Sequence, residues 1–393
     1  MLQTKSLNRS TVWSLNIFNF FLFGSVGALM TYFPAYFQSI GVSSFFIGLI
    51  MAGGPFISIL ANPFWGYISD KLQNIKRIIM IMSFCSLLIV QFVFMFDQLS
   101  IMIAIMLVFF FFNNSIIPQS NSLIFNTIEG TTYKFGYFRM WGSLGWSIMV
   151  MLAGFTLDKI GIHNLSIVFS IILIVALIST IKLPQGRVEG TEKPEKGAYR
   201  RLILSNKIFL AFIFLGVLIS VPNAINQTFS TLYILQLGGS EVHIGWNAFI
   251  MAAFEIPVFL LLDRYLKQEV KIMLRMIILV SFLFVLRWVL MSIAASPVQI
   301  VLIQILHSVT FGGYFYIGTT LTAKMIPLQF RASGQALFAI TWGGLSGLIA
   351  GTTGGLMFDS LGPSTMYMIT TCIALVGTIG FIFLYRYAKK HAN

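Results

Sequence analysis

The stretch PFWGYISDKLQNIKR, residues 63–77, closes a long apolar run with an aspartate that is followed by basic residues. A second stretch, IPVFLLLDRYLKQEVK at 256–271, repeats this order. Asp70 and Asp263 lie 193 positions apart, and the pattern Phe-Arg-x-x-Gly that begins at Phe138 returns at Phe330, 192 positions later. Because two separate landmarks give nearly the same offset, the chain is predicted to contain two similar halves.

The composition excludes a soluble protein. Hydrophobic residues make up 57% of the 393 residues and charged residues only 9%, against about 25% charged in typical soluble proteins. Phe occurs 39 times, more often than all Lys, Arg, Asp and Glu together. So few charges could not cover the surface of a soluble globule. We therefore predict an integral membrane protein, which excludes a cytosolic enzyme, a nucleic-acid-binding domain and a disordered chain.

Twelve apolar segments are long enough to cross a bilayer, since a spanning helix needs about 20 mostly apolar residues. One long polar segment separates six of them from the other six. We predict an all-α fold with an N-terminal six-helix bundle at 1–183, a cytoplasmic linker at 184–206 and a C-terminal six-helix bundle at 207–393. The predicted spans are 12–37, 44–68, 77–96, 100–126, 136–157, 163–183, 207–236, 243–262, 272–294, 297–323, 331–357 and 363–385.

The basic residues set the predicted orientation, because Lys and Arg stay preferentially on the cytoplasmic side. With the N-terminus inside, 22 of the 25 basic residues face the cytoplasm, and Lys159 is the only basic residue in an outer connection. Arg139 and Arg287 lie within spans. The net charge of +13 is thus explained by topology and does not indicate a nucleic-acid partner. We predict a multi-pass protein of the plasma or inner membrane with both termini in the cytoplasm.

The loop after the second span has a recognisable spacing. Residues 66–77 resemble the loop motif G-x-x-x-D-[RK]-x-G-x-[RK]-[RK] of the major facilitator superfamily, with Gln73 or Asn74 at the place of the second Gly. An Asp at one helix end and basic residues at the next can hold two helices together by charge and dipole contacts; the alternative is ordinary basic flanking of a span. The residues of this conformational motif, in both halves, are Gly66, Asp70, Lys71, Arg77, Asp263 and Arg264.

Four further stretches narrow the resemblance. FGYFRMWGSLGW at 135–146 is similar to the fifth span of the branch that holds lactose permease, phenylpropionate permeases and nucleoside–proton symporters. AFEIPVF at 253–259, LRWVL at 286–290 and LHSVTFGG at 306–313 are similar to the second half of that branch. The resemblance implies transport by two bundles that rock about a site at the midplane. It implies no metal or organic cofactor, and a proton gradient as the energy source.

Ionisable residues within spans are candidates for function, because a centrally placed charge costs about 2.5–3.5 kcal/mol to insert. Glu255 is predicted to gain and lose a proton, with Arg287 and His307 tuning it; the alternative is a static ion pair. On straight helices His307 and Arg287 are nearly level and Glu255 is nearer the cytoplasm, so pairing of Glu255 with Arg287 is not assured. Lactose permease has a Glu three residues after the corresponding His, where this chain has Thr310. Coupling must then depend on Glu255, or the protein is not proton-driven.

A second set of residues could bind the solute. Trp146 and Arg139 resemble the Trp and Arg that contact sugar in lactose permease, while the carboxylate that partners this Arg is replaced by Asn121. An indole offers a flat apolar face to a ring, and amides suit an uncharged, hydroxyl-rich ligand. Alternatively, Arg139 reaches the interface and the amides bond helices together, at about 0.6 kcal/mol each. The predicted substrate-binding residues are Trp146, Arg139, Asn121, Asn113 and Asn226.

These observations favour one function and leave two alternatives. We expect a monomeric secondary transporter, in contact with the lipid bilayer and not with nucleic acid. It would move a sugar, nucleoside or aromatic acid together with a proton. The first alternative is an efflux antiporter for drugs or metabolites, although GSLGWSIMVMLAGF in span five lacks the Gly-Pro kink common there. The second is a transporter-like receptor. An enzyme is not expected, because no H-E-x-x-H, Walker or G-x-S-x-G pattern occurs.

Overall fold

The structure, a computed structural model, describes residues 7–96, 98–133, 135–185, 206–267, 269–326 and 331–391. The side chains of Asp70, of residues 331–333 and of His391 lie outside the described part, as does most of the predicted linker. The described residues are helical, with short connections and no strand. This confirms the predicted all-α membrane fold.

The helices follow the predicted spans closely. Eleven of them are long and apolar enough to cross a membrane in the described part of the chain, counting a helix with a short break as one. In chain order they comprise α1 Arg9–Ser39, α2 Ser44–Leu72, α3 Ile75–Val93, α4 Leu99–Ile128, α5 Phe135–Ile160, α6 Leu165–Thr180, α7 Lys207–Gln236, α8 Glu241–Ala253, α9 Glu255–Tyr265, α10 Val270–Ser292, α11 Pro297–Ile303, α12 Gly313–Met325, α13 Arg331–Ala339 and α14 Ser346–His391.

The last of the eleven runs from Gly334 to Lys390 over 57 residues. At 1.5 Å per residue it would measure about 85 Å, nearly three times the hydrocarbon core. Gly362 interrupts it with φ 80° and ψ 162°, a conformation that a residue with a Cβ rarely adopts. Pro363 follows and favours extended backbone at the residue before it. The run therefore consists of the eleventh and twelfth predicted spans, joined at Gly362.

Two predicted spans are broken rather than straight. The span predicted at 243–262 divides at Phe254 into α8 and α9. Pro257 explains the break, because proline lacks an N–H and its ring clashes with the carbonyl four residues earlier, here that of Ala253. In the span predicted at 297–323, α11 ends before Gln304, and residues Ser308–Gly312 form a π-helical turn before α12. Such turns are frequent at functional sites.

The described residues divide into two compact units. One holds the described parts of Met1–Val42, Gly53–Gly190 and Gly239–Ala253, and the other those of Ser43–Ala52, Thr191–Gly238 and Phe254–Asn393. Relative to the predicted halves, the start of α2 groups with the second unit and α8 groups with the first. The predicted domain boundaries at 183 and 207 remain a prediction.

In the first unit, small residues let α1 and α5 approach closely. A Cβ on Gly145 would lie 2.6 Å from the carbonyl carbon of Phe20, and one on Gly24 would lie 2.6 Å from the side chain of Met149. Close backbone approach of this kind is how helices associate in lipid, where burial of apolar surface offers little drive. The pair α1 and α5 is therefore fixed by backbone contact.

In the second unit, the first turn of α2 packs on α14. The carboxylate of Asp359 accepts hydrogen bonds from the backbone N–H groups of Ser44, at 3.2 Å, and Phe45, at 2.8 Å. These groups belong to the first turn of the helix and have no acceptor within it. A Cβ on Gly355 would lie 2.6 Å from the carbonyl oxygen of Ser44. Asp359 therefore caps α2 from a helix distant in sequence.

The cap leads to a first prediction. Asp359→Asn leaves one acceptor oxygen and removes the charge that the helix dipole favours, so we expect a loss of about 1 kcal/mol. The measurement is the midpoint of thermal unfolding of the purified protein. Asp158→Asn is the matched control, because Asp158 is exposed near the end of α5 and its change removes the same charge. Equal midpoints for the two variants would show that the cap does not stabilise α2.

Candidate functional site

The predicted coupling residues meet in the second unit, where two broken helices come together. Glu255 is the first residue of α9, and His307 ends the short turn Ile305–His307 that precedes the π-helical turn. The imidazole Nε2 of His307 lies 3.3 Å from Oε1 of Glu255. The His307 side chain is 3% exposed and that of Glu255 is 19% exposed. The contact can hold a proton between the two groups.

Arg287 lies beside this pair and is completely buried. Its Nη2 donates to Oε1 of Gln304, and its Nη1 donates to Oγ1 of Thr310 at 3.3 Å. The guanidinium carbon lies 4.5 Å from the centroid of the Trp288 ring, a cation–π arrangement. Both hydrogen-bond acceptors are neutral. Among the described residues Arg287 forms no ion pair, although Glu255 is within electrostatic reach of it.

A row of hydrogen-bonded polar side chains continues from Gln304 across the second unit. Oε1 of Gln304 also accepts from Nδ2 of Asn226 at 3.5 Å, and the hydroxyl of Tyr367 donates to Oδ1 of Asn226 at 3.0 Å. All three residues are buried. Together with Arg287, this row of hydrogen bonds links α7, α10 and α14 to the break before His307. Asn226, predicted to bind substrate, thus contacts the neighbours of Arg287.

The first unit holds the other predicted substrate-binding residues. Nη1 of Arg139 donates to Oγ of Ser143 at 3.3 Å, and its guanidinium carbon lies 4.3 Å from the centroid of the Phe23 ring. Trp146 is half-buried and packs on Gly27, where an added Cβ would lie 2.7 Å from the indole. The two side chains thus contact α1 from positions about two turns apart on α5. Their packing is described, and their role in binding remains a prediction.

Two amides on α4 have polar atoms without a hydrogen-bond partner among the described residues. Both polar atoms of Asn113 are buried without a hydrogen bond, and so is Oδ1 of Asn121. A buried amide without a partner is costly, so such a group is usually paired. Water or the polar groups of a solute would satisfy both residues.

The loop motif keeps its turn. Gln73 has φ 50° and is the one non-glycine residue of the described chain with a positive φ, so it adopts the conformation that glycine favours at this place. Oδ1 of Asn74 accepts from the backbone N–H of Arg77 at 3.0 Å and caps α3. Lys71 is exposed. The side chain of Asp70 lies outside the described residues, so the predicted charge contact stays a prediction.

The second-half motif makes a different contact. The hydroxyl of Tyr316, on α12, donates to Oδ1 of Asp263 at 3.0 Å, and the guanidinium carbon of Arg264 lies 5.4 Å from the centroid of the Tyr265 ring. Asp263 therefore joins α9 to α12. In the first half, Gly66 lines a groove with Ser69 and Gln119.

Comparison with known protein sequences identifies the family of this chain. The MFS_1-like family model matches residues 12–369. The chain belongs to the MFS_1-like family. The uncharacterized transporter YwbF of Bacillus subtilis (strain 168) is 27% identical over 95% of this chain and 93% of its own. The maltose permease of Geobacillus stearothermophilus is 23% identical over 96% of this chain and 94% of its own.

A solved structure shares the fold. The nucleoside transporter NupG is 17% identical over 97% of this chain and 100% of its own, with a TM-score of 0.79. At that identity the likeness establishes the major facilitator fold alone. Family, relatives and fold together make this chain a multi-pass membrane transporter and not an enzyme, as the sequence predicted.

Two side chains in the site were not predicted. Gln304 is one turn before His307, and its position as a polar residue in an apolar span is a signal that sequence analysis could have used. Tyr367 has no such signal, because tyrosines are common in spans. Its hydrogen bond to Asn226 depends on how α14 packs against α7.

Proposed function

We propose that this protein is a proton-coupled symporter for a small organic solute and works by alternating access. Glu255 is the proton carrier. The observation that supports this most is the 3.3 Å contact between Glu255 and His307 beside the buried cation Arg287. We further propose that it acts as a monomer in the cell membrane with both termini in the cytoplasm.

The physical basis is the dependence of proton affinity on surroundings. Burial favours the neutral form of a carboxyl group and a nearby cation favours the charged form. Glu255 has both influences within reach, since it lies against His307 and within electrostatic range of Arg287. A small movement of α9 or of the π-helical turn would alter the balance between burial and the nearby cation at Glu255. Glu255 could thereby load a proton on one side of the membrane and release it on the other.

The solute that suits the first unit is a ring compound with several hydroxyl groups. Trp146 offers an aromatic face, and Arg139 can donate to hydroxyl or carboxylate oxygens. Asn113 has two buried polar atoms without a partner in the part of the chain that the structure describes. Sugars and nucleosides combine a flat or apolar face with hydroxyls. The similarity to a maltose permease and the shared fold with a nucleoside transporter support the same two classes.

The test has two steps. Thermal unfolding of the purified protein is measured with maltose, uridine or 3-phenylpropionate, and a binding solute is expected to raise the midpoint. That solute is then added outside proteoliposomes that contain a pH-sensitive dye. A symporter acidifies the lumen, whereas an efflux antiporter makes it more alkaline. Solute entry without any pH change would contradict proton coupling.

A further inference from the structure

The hydrogen bonds around Gln304 leave one consistent assignment of its amide. Arg287 has only donors, so Gln304 must present its oxygen to the guanidinium. Asn226 then donates to that same oxygen through Nδ2, at 3.5 Å. Its own Oδ1 faces the hydroxyl of Tyr367 at 3.0 Å, so the tyrosine donates. Tyr367 and Asn226 therefore fix the direction of the Gln304 amide.

The partners of Arg287 are unusual for a buried guanidinium. A carboxylate is its strongest common partner, often through two parallel hydrogen bonds. Glu255 is within electrostatic reach, but it contacts His307, and Arg287 bonds to Gln304 and Thr310 instead. The two neutral acceptors thus engage both terminal nitrogens of the guanidinium, while Nε has no partner among the described residues.

We propose that Gln304 is a positioning residue that holds Arg287 away from Glu255 and so keeps Glu255 able to accept a proton. A direct Arg287–Glu255 bond would stabilise the carboxylate and prevent loading. Asn226 and Tyr367 support Gln304 in this role. The inference rests on the proposed proton coupling at Glu255. It adds to that proposal the residue that sets the pH at which Glu255 binds the proton.

Several titratable groups of the described second unit lie near Glu255 or on the helices packed against it. His307 contacts it directly, and Arg287 lies within reach from α10. Tyr316 of α12 donates to Asp263 of α9, and Tyr367 of α14 stacks on Trp288, the residue after Arg287. Gln304 is the neutral residue whose removal changes the position of a charge.

Infrared difference spectroscopy of the purified full-length protein tests this without a substrate. The carbonyl band of a protonated carboxylic acid is followed against pH, and the part missing in Glu255→Gln is assigned to Glu255. Gln304→Met keeps the side-chain volume and removes the acceptor. We expect the midpoint of the Glu255 band to move about one unit to lower pH, because a cation bonded to a carboxylate favours its charged form.

Two further variants keep the test decisive. Gln304→Asn withdraws the oxygen by one methylene but remains polar, and it should shift the midpoint in the same direction. It replaces the Met variant if that variant does not fold. Gln91→Leu is the matched control, since Gln91 is an amide on α3 that donates to Ser170 at 2.9 Å in the other unit. It should leave the midpoint unchanged.

The outcomes separate this inference from the proposed function. If no band that changes with pH disappears in Glu255→Gln, then Glu255 does not titrate, and the proposed coupling and this inference both fail. If the band titrates but keeps its midpoint in the folded Gln304 variants, Gln304 has a purely structural role and this inference alone fails.

Discussion

Glu255→Gln is expected to exchange solute across the membrane at a nearly normal rate and to lose all accumulation driven by a proton gradient. The amide has almost the same volume and imitates the protonated acid, so binding and the movement of the empty or loaded carrier persist. No proton can leave, and the cycle cannot be completed in the direction that accumulates solute. The measurements are counterflow and proton-driven uptake in proteoliposomes, with the solute identified by thermal unfolding.

Two companion variants make this result interpretable. Glu269→Gln removes a carboxylate that is exposed in the connection before α10, and it should accumulate solute as the unmodified protein does. His307→Gln removes the imidazole that contacts Glu255 and should weaken accumulation without abolishing it. Undiminished accumulation by Glu255→Gln, together with its loss in His307→Gln, would transfer the proton-carrying role to His307.

Gly145→Ala is expected to prevent stable folding of the first unit. The new methyl carbon would lie 2.6 Å from the carbonyl carbon of Phe20. Real Cβ atoms do not approach backbone so closely, and a backbone group cannot rotate away as a side chain could. The helices α1 and α5 would have to separate along their length. Overpacking of a rigid interface costs about 1–3 kcal/mol and occasionally more, and we expect the upper end here.

The matched control is on the same helix. Gly136→Ala adds the same methyl group where, apart from its chain neighbours and the backbone of its own helix, no atom of the described residues lies within 4 Å. Alanine also favours a helix more than glycine by about 1 kcal/mol. We expect equal or higher yield of folded protein for Gly136→Ala and little or none for Gly145→Ala. The comparison uses fluorescence-detected size exclusion of the two variants in detergent. Similar monodisperse peaks would contradict the close packing of α1 on α5.

The long helices could be predicted from sequence because their cause is local. Each needs only a run of apolar residues long enough for the bilayer, and the Gly362-Pro363 pair marks the boundary between the last two spans. The breaks at Phe254 and Gln304 were not predicted. Pro257 was visible in the sequence, but prolines at residues 34, 118 and 222 lie inside continuous helices, so a proline alone does not locate a break.

The residues of the site could be predicted from the sequence, but the contacts between their side chains could not. Glu255, Arg287 and His307 stand out because ionisable residues are rare in spans. Depths measured along straight helices separate Glu255 from His307, whereas the structure breaks both helices beside these residues and brings the side chains to 3.3 Å. The neutral partners of Arg287 depend on how α10 packs against the broken span at 297–323, for which spacing along the chain gives no information.

Each sequence half contributes a short segment to the compact unit formed mainly by the other half, which has a consequence for dividing the gene. If residues 1–183 and 207–393 were produced as separate polypeptides, the first would carry the start of α2 without Asp359, its cap. The second would carry α8 without α5, the helix on which it packs. Each fragment would expose a glycine-lined surface whose complement is on the other. Co-production should therefore rescue fragments that are degraded when made alone, and reassembly would need no covalent link.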